Sequence, residues 1–202
     1  MITFKEYFEN EEGMPVVAVM PGGFHPFHPG HKSLYDWAVD KFNGNVYVAA
    51  TNDTSTRPFP FEIKRKLAGM AGVPPERFIQ VKSPFNAMSY ADIVDEDTAL
   101  VFVRSKKDVT SHPKPDHIKK NGEMGYLRSY SEEDLQPSNV AGYMVYGPTI
   151  NFNFSGMQIK SARELRKMWP DMSDGDKLSA TSQMYGEDNA EVSKVLLDIA
   201  LS

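Results

Sequence analysis

Three short runs of apolar, valine-rich residues constrain this chain most: Val16-Val17-Ala18-Val19-Met20, Val46-Tyr47-Val48-Ala49-Ala50 and Ala99-Leu100-Val101-Phe102-Val103. None alternates apolar with polar residues, so none reads as a strand with one wet face. Each is also too short for an ordinary helix, which leaves strands buried on both faces. Arg77 to Val81 and Tyr143-Met144-Val145-Tyr146 are weaker runs of the same kind. Helical spacing lies between them. Residues 31–42 would turn Leu34, Trp37, Ala38, Lys41 and Phe42 inward, and residues 61–71 would bury Ile63, Leu67, Met70 and Ala71. Strands alternating with helices predict a parallel α/β sheet of about five strands, joined by right-handed crossovers, with helices on both faces. Such sheets bind ligands beyond the carboxyl ends of their strands.

The remaining segments divide the chain. Residues 1–14 form a short amphipathic segment in which Thr3 and Glu6 match a capping box and Phe4, Tyr7 and Phe8 share one side. Residues 15–170 form the main domain. Within it, residues 104–140 are rich in lysine, proline, glycine and serine, and read as a long irregular excursion of the kind that usually carries function. A helix over 161–169 is stopped by Pro170, and helices at about 174–184 and 187–200 make a C-terminal extension over 171–202.

The loop after the first strand holds three of the five histidines, His25, His28 and His31, in Gly22-Gly23-Phe24-His25-Pro26-Phe27-His28-Pro29-Gly30-His31-Lys32. A helix mouth after a buried strand attracts phosphate through free N–H groups and the helix dipole. Gly30 has no Cβ to keep a ligand from the backbone. Imidazoles three residues apart can face one anion from the first turn. Zinc binding by the three histidines is an alternative, although Pro26 and Pro29 forbid a continuous helix through them. A structural loop with solvent-facing imidazoles is another.

Gly23-Phe24-His25-Pro26-Phe27-His28-Pro29-Gly30-His31 after a strand resembles the signature of the HxGH nucleotidylyltransferase superfamily. That superfamily includes cytidylyltransferases, nicotinamide-mononucleotide (NMN) adenylyltransferases and pantetheine-phosphate adenylyltransferases. The histidine loop followed by a long polar insertion is similar to cytidylyltransferase-like proteins of tailed bacteriophages. The resemblance covers residues 16–170 in element order and is specific at two motifs. It implies a Rossmann-like fold and transfer of a nucleoside monophosphate from ATP or CTP to a small phosphorylated acceptor, with release of pyrophosphate. It also implies a nucleotide-associated Mg²⁺ rather than a protein-held metal. His28, His31 and Arg166 are the implied catalytic residues. Gly22, Gly23, Phe24, His25, Gly30 and Lys32 would serve the nucleotide from the first motif.

The second motif is Ser161-Ala162-Arg163-Glu164-Leu165-Arg166, which fits the family form with Arg163 where threonine is usual. Ser161 with Glu164 reads structurally as a capping box. The resemblance adds that Ser161, Ala162, Arg163 and Arg166 bind phosphate, a task that suits the guanidinium fork. Lys160, Arg163, Arg166 and Lys167 against Glu164 give a local charge of +3, which alone is also the pattern of a solvated helix face. Arg104-Ser105-Lys106-Lys107-Asp108, after the fourth strand, loosely matches a nucleotide-seating turn through Ser105 and Asp108, with Arg104 where relatives carry glycine. Tyr126 and Tyr130 are candidates for stacking on a ring.

Composition excludes several classes. There is no cysteine, hence no disulfide scaffold, thiolate site or cysteine nucleophile. The net charge of −5 argues against a protein that coats nucleic acid. No apolar run spans a bilayer and the first residues lack a signal-peptide pattern, so the expected location is cytoplasmic, the host cytoplasm for a phage-encoded chain. Ala190, Leu196, Ile199 and Ala200 read equally as core or as a dimer face. The competing function is a catalytically drifted nucleotide binder or a virion or assembly component on the same fold, suggested by Arg104 and Arg163.

Overall fold

The computed structural model describes residues 13–55, 57–150, 152–154, 157–159 and 161–201. The predicted helix at 3–10, Thr56 and Lys160 lie outside the described residues. Six strands form one parallel sheet: β1 (Val16–Gly22), β2 (Val46–Ala50), β3 (Phe78–Gln80), β4 (Ala99–Ser105), β5 (Leu127–Ser129) and β6 (Gly142–Gly147), in the order β3-β2-β1-β4-β6-β5. The architecture is Rossmann-like α/β, with C-terminal helices.

The order reverses beside β1. The chain builds outward through β2 and β3, then returns to place β4 on the other side of β1. This is the topological switch point at which open α/β sheets leave a crevice. The loop that follows β1 and the turn that follows β4 both open there. Register brings the strand ends level, with Gly22 opposite Ala50 and Ser105 opposite Gly147.

Alternate residues of the apolar runs feed two cores, as period-2 geometry demands. Ala18 and Met20 pack with Val48, Val101 and Val103 under α1 (Pro29–Lys41) and α2 (Phe61–Met70). Val17 and Val19 pack with Ala49, Leu100 and Phe102 on the opposite face. That second face is covered by the short 3-10 helix Ala87–Tyr90, by the loop residues Phe85 and Tyr126, and by Leu127 of β5. A third cluster joins Leu67 of α2 to α3 (Ala162–Met168), α4 (Asp174–Tyr185) and α5 (Ala190–Leu201) around the buried Trp169. Leu196 and Ala200 pack against this cluster, whereas Ile199 is exposed.

Several details differ from expectation. The sheet has a sixth strand, because the excursion is not wholly irregular: Leu127–Ser129 adds itself in parallel beyond β6. A three-residue strand is too short to show a period. The stretch after β6 also contains two strands paired antiparallel, β7 (Phe152–Phe154) with β8 (Met157–Ile159). Lys41 is exposed and pairs with Glu132 at 3.0 Å instead of facing inward. Lys64, which lies outside the expected apolar face of α2, is fully buried. Its ammonium donates to the Thr51 carbonyl at 2.8 Å, which compensates part of its desolvation. α1 starts two residues before His31, at Pro29, where a missing N–H costs nothing.

Candidate active site

The histidine loop organises itself around the start of α1. His28 is the N-cap, and its Nδ1 accepts the Gly30 N–H at 3.1 Å. His31 Nδ1 accepts the His28 N–H at 3.3 Å. The two imidazoles thus form a capping box, the roles that Ser/Thr and Glu take in ordinary helices. Their rings stack with centroids 3.7 Å apart and 21° between planes. The His31 and Lys32 N–H groups both bond the His28 carbonyl. The helix mouth therefore does not offer these N–H groups to a ligand, contrary to the first expectation. What remains is the dipole and the imidazoles themselves.

This geometry sets the proton positions. A neutral imidazole that accepts at Nδ1 carries its proton on Nε2. His28, His31 and His25 all accept at Nδ1, His25 from the Phe59 N–H at 3.2 Å. Burial, helped by Lys107, pushes His28 down to about 3. Burial, then Lys64, Arg57 and Arg166, pushes His25 down to about 3 as well. His31 lies well below its ordinary value through burial, the neighbouring His28 and Lys107. All three are neutral near pH 7, each with an Nε2–H donor.

A cavity of about 500 Å³ opens over this loop. It is lined by Gly22, Gly23, Phe24, His25, His28, Gly30 and His31 from the first motif, Ser161, Ala162, Arg163 and Arg166 from the second, and Ser105 and Asp108 after β4. Arg166 comes from α3, whose N-cap Ser161 accepts the Glu164 N–H at 3.3 Å. Its Nη1 donates to the His25 carbonyl, 141 residues away in the chain. Ser105 Oγ is hydrogen-bonded to Thr149 Oγ1, which joins the ends of β4 and β6.

Lys32 is the predicted site residue left outside. Its ammonium lies 2.7 Å from Asp36 on the flank of α1, because i,i+4 pairing competes with reaching the mouth. Neither Tyr126 nor Tyr130 lines this cavity. Tyr126 donates to the Ser138 carbonyl at 2.6 Å, and Tyr130 packs edge-on against Phe42.

Sequence reasoning missed Arg57, Thr149, Phe85 and Ile150, all of which line the cavity. Arg57 lies so close to the histidine loop that a Cβ on Gly23 would stand 2.0 Å from its Nη1. The one available signal was its place in the polar loop at the carboxyl end of β2. Arg57, Arg104, Lys107, Arg163 and Arg166 against Asp108 bring +4 to a cavity in a chain of net −5. Arg166 is held below its ordinary pKa by burial and by Arg57 and Arg163, which marks a cationic cluster short of anions. Among the described residues, no group of three or more His, Asp or Glu is placed to hold a metal ion.

No family model matches this sequence, and no curated protein matches it. Solved structures do. A bifunctional NMN adenylyltransferase/ADP-ribose pyrophosphatase from Francisella tularensis, complexed with AMP and a manganese ion, superposes over 93% of this chain with a TM-score of 0.52 at 14% identity. The match spans about half (52%) of that protein. A protein of unknown function from Archaeoglobus fulgidus matches 46% of this chain and 70% of its own, with a TM-score of 0.33 at 23% identity. The first likeness shows the fold shared with an adenylyltransferase-containing protein. Neither bears on a phage origin. Among the described residues, no helix is long and apolar enough to cross a membrane.

Proposed function

We propose that this chain is a nucleotidylyltransferase that moves a nucleoside monophosphate from ATP or CTP to a small phosphorylated acceptor. The observation that carries the reading is the meeting of His28, His31 and Arg166 at one cavity on the switch-point edge of the sheet. A phosphomonoester oxygen of the acceptor, already deprotonated at neutral pH, attacks the α-phosphorus in line. The new P–O bond forms as the bond to the β-phosphate oxygen breaks, and pyrophosphate leaves with the electron pair. No covalent enzyme intermediate and no general base are required. The protein positions the reactants and stabilises charge. His28 and His31 donate Nε2–H to the α-phosphate oxygens. Arg166, Arg163 and Arg57 hold the departing pyrophosphate, a task suited to planar multi-donor groups. Mg²⁺ brought in with the nucleotide would supply charge neutralisation. Asp108, the carboxylate lining the cavity among the described residues, fits an ion carried in by the nucleotide rather than a protein cage.

Pyrophosphate release from ATP or CTP with Mg²⁺ and a panel of phosphomonoesters tests this. His31→Ala and Arg166→Ala should each lower the rate by about 10²–10³ with the fold intact. Normal turnover in either variant removes the mechanism. The second reading, a drifted nucleotide binder or assembly protein, is favoured by Arg104 and Arg163 standing where the resembled family carries glycine and threonine. Melting curves separate the two. Stabilisation by triphosphate without turnover on any acceptor supports the binder, and no stabilisation at millimolar triphosphate supports the assembly protein.

A further inference from the structure

The excursion folds back on the loop after β3 to line a second, open cavity of about 650 Å³. Phe85 lines both this cavity and the cationic one over the histidines. Arg104, which lines the cationic cavity, lies over the Phe85 ring with its guanidinium carbon 5.4 Å from the centroid. Its Nη1 also donates to the carbonyls of Ser111 at 3.1 Å and Pro113 at 3.0 Å, so it is braced against the excursion. The two cavities are therefore neighbours across Phe85, with a braced cation at the junction.

The second cavity differs chemically from the first. Phe85, Tyr126 and Leu127 give it apolar walls. Lys114 stands exposed at its rim. Asp116 lines it too, but both carboxylate oxygens are engaged by Ser129, through its N–H and its hydroxyl. His112 and His117 line it as well, both exposed, so its polar groups stand in water while its walls are apolar; an apolar ring gains by leaving water against those walls, and the hydroxyl groups of a polyol do not.

We infer that this groove receives the non-phosphate end of the acceptor, and that the acceptor is a phosphomonoester with an apolar, ring-sized body. Arg104 holds the acceptor's phosphate at the junction, facing the α-phosphate, and Phe85 and Leu127 hold the body. The inference rests on the nucleotidyl-transfer reading and goes beyond it by naming the acceptor's chemical class.

Calorimetric titration of the full chain with phenyl phosphate, glycerol 3-phosphate and inorganic pyrophosphate tests it. Phenyl phosphate should bind at least about tenfold more tightly than glycerol 3-phosphate, the discrimination expected from burying an apolar group. Leu127→Gln should abolish that preference while leaving pyrophosphate affinity within about twofold. Lys114→Glu, at an exposed position with little bearing on folding, should weaken both phosphomonoesters. Arg104→Gln should weaken both further. Equal binding of the two phosphomonoesters, or a preference that survives Leu127→Gln, overturns the acceptor assignment while pyrophosphate binding leaves the transferase reading standing. Absence of pyrophosphate binding overturns both.

Discussion

Gly30→Ala separates the two jobs of the histidine loop. A Cβ on Gly30 would stand 3.0 Å from His28 Cε1, 3.2 Å from its Nδ1 and 3.7 Å from the Ile150 carbonyl oxygen. The first two contacts are tighter than a side chain tolerates without shifting by a few tenths of an ångström. The His28 ring has little freedom to shift, because it is stacked on His31 at 3.7 Å and its Nδ1 is bound to the Gly30 N–H itself. Weakening that cap costs about 1 kcal/mol, and alanine for glycine within a helix returns roughly as much. Stability should hardly move, with Tm within about 4 °C of the parent. The reacting geometry has no such compensation. A displaced donor pair should lower pyrophosphate release by about 10²-fold. Thermal melting and pyrophosphate release, measured on one preparation, check both halves. Activity within twofold of the parent would refute the reasoning. A Tm fall beyond 10 °C would show that the glycine serves the fold and not the site.

Other outcomes follow from the same geometry. Arg57→Gln, at an exposed loop position, should weaken pyrophosphate affinity by about tenfold with unchanged Tm, and should flatten the salt dependence of binding; calorimetry at two ionic strengths reads this. Tyr185 donates to the Phe27 carbonyl at 2.7 Å, tying α4 to the histidine loop in a buried setting. Tyr185→Phe should therefore cost about 1–3 kcal/mol in denaturant unfolding by leaving that carbonyl unpaired. His25 and His28 are each pushed down to about 3 by burial and neighbouring cations, so the unfolded chain binds protons that the folded chain refuses between about pH 6.5 and 3. Their contribution to stability is complete above pH 6.5 and declines as pH falls through that window. Melting at pH 7.5 and 5.5 should show the fall, and saturating pyrophosphate, whose charge favours imidazolium, should reduce it. An unchanged Tm between these pH values would contradict the burial of the neutral rings.

Legibility in the sequence tracked how local each feature is. The three valine-rich runs became β1, β2 and β4, because burial on both faces leaves a signature within five residues. The second helix cap was equally local, with Ser161 accepting the Glu164 N–H. β5 is not legible in the sequence, because three residues in the middle of a polar stretch carry no period and their partner strand comes later in the chain. The reason for Gly30 changed as well. The glycine makes room for the His28 imidazole to fold back on its own helix, a contact that spacing alone does not reveal. His25 lines the cavity beside them, and the bond of its Nδ1 to the Phe59 N–H, from the loop after β2, is another contact that spacing does not reveal.

The amino-acid order determined the parallel sheet, the strand-to-helix turn that carries His28 and His31, and the helix start that carries Arg166. Each of these depends on neighbours within one or two turns of chain. Only the tertiary structure decided what meets them. Arg166 reaches the His25 carbonyl, Arg57 arrives from the loop after β2, and Arg104 at the end of β4 settles on Phe85 from the loop after β3. Those meetings follow from strand order, which places four distant loops on one edge of the sheet, and strand order is settled by packing among whole elements rather than by the spacing of residues along the chain.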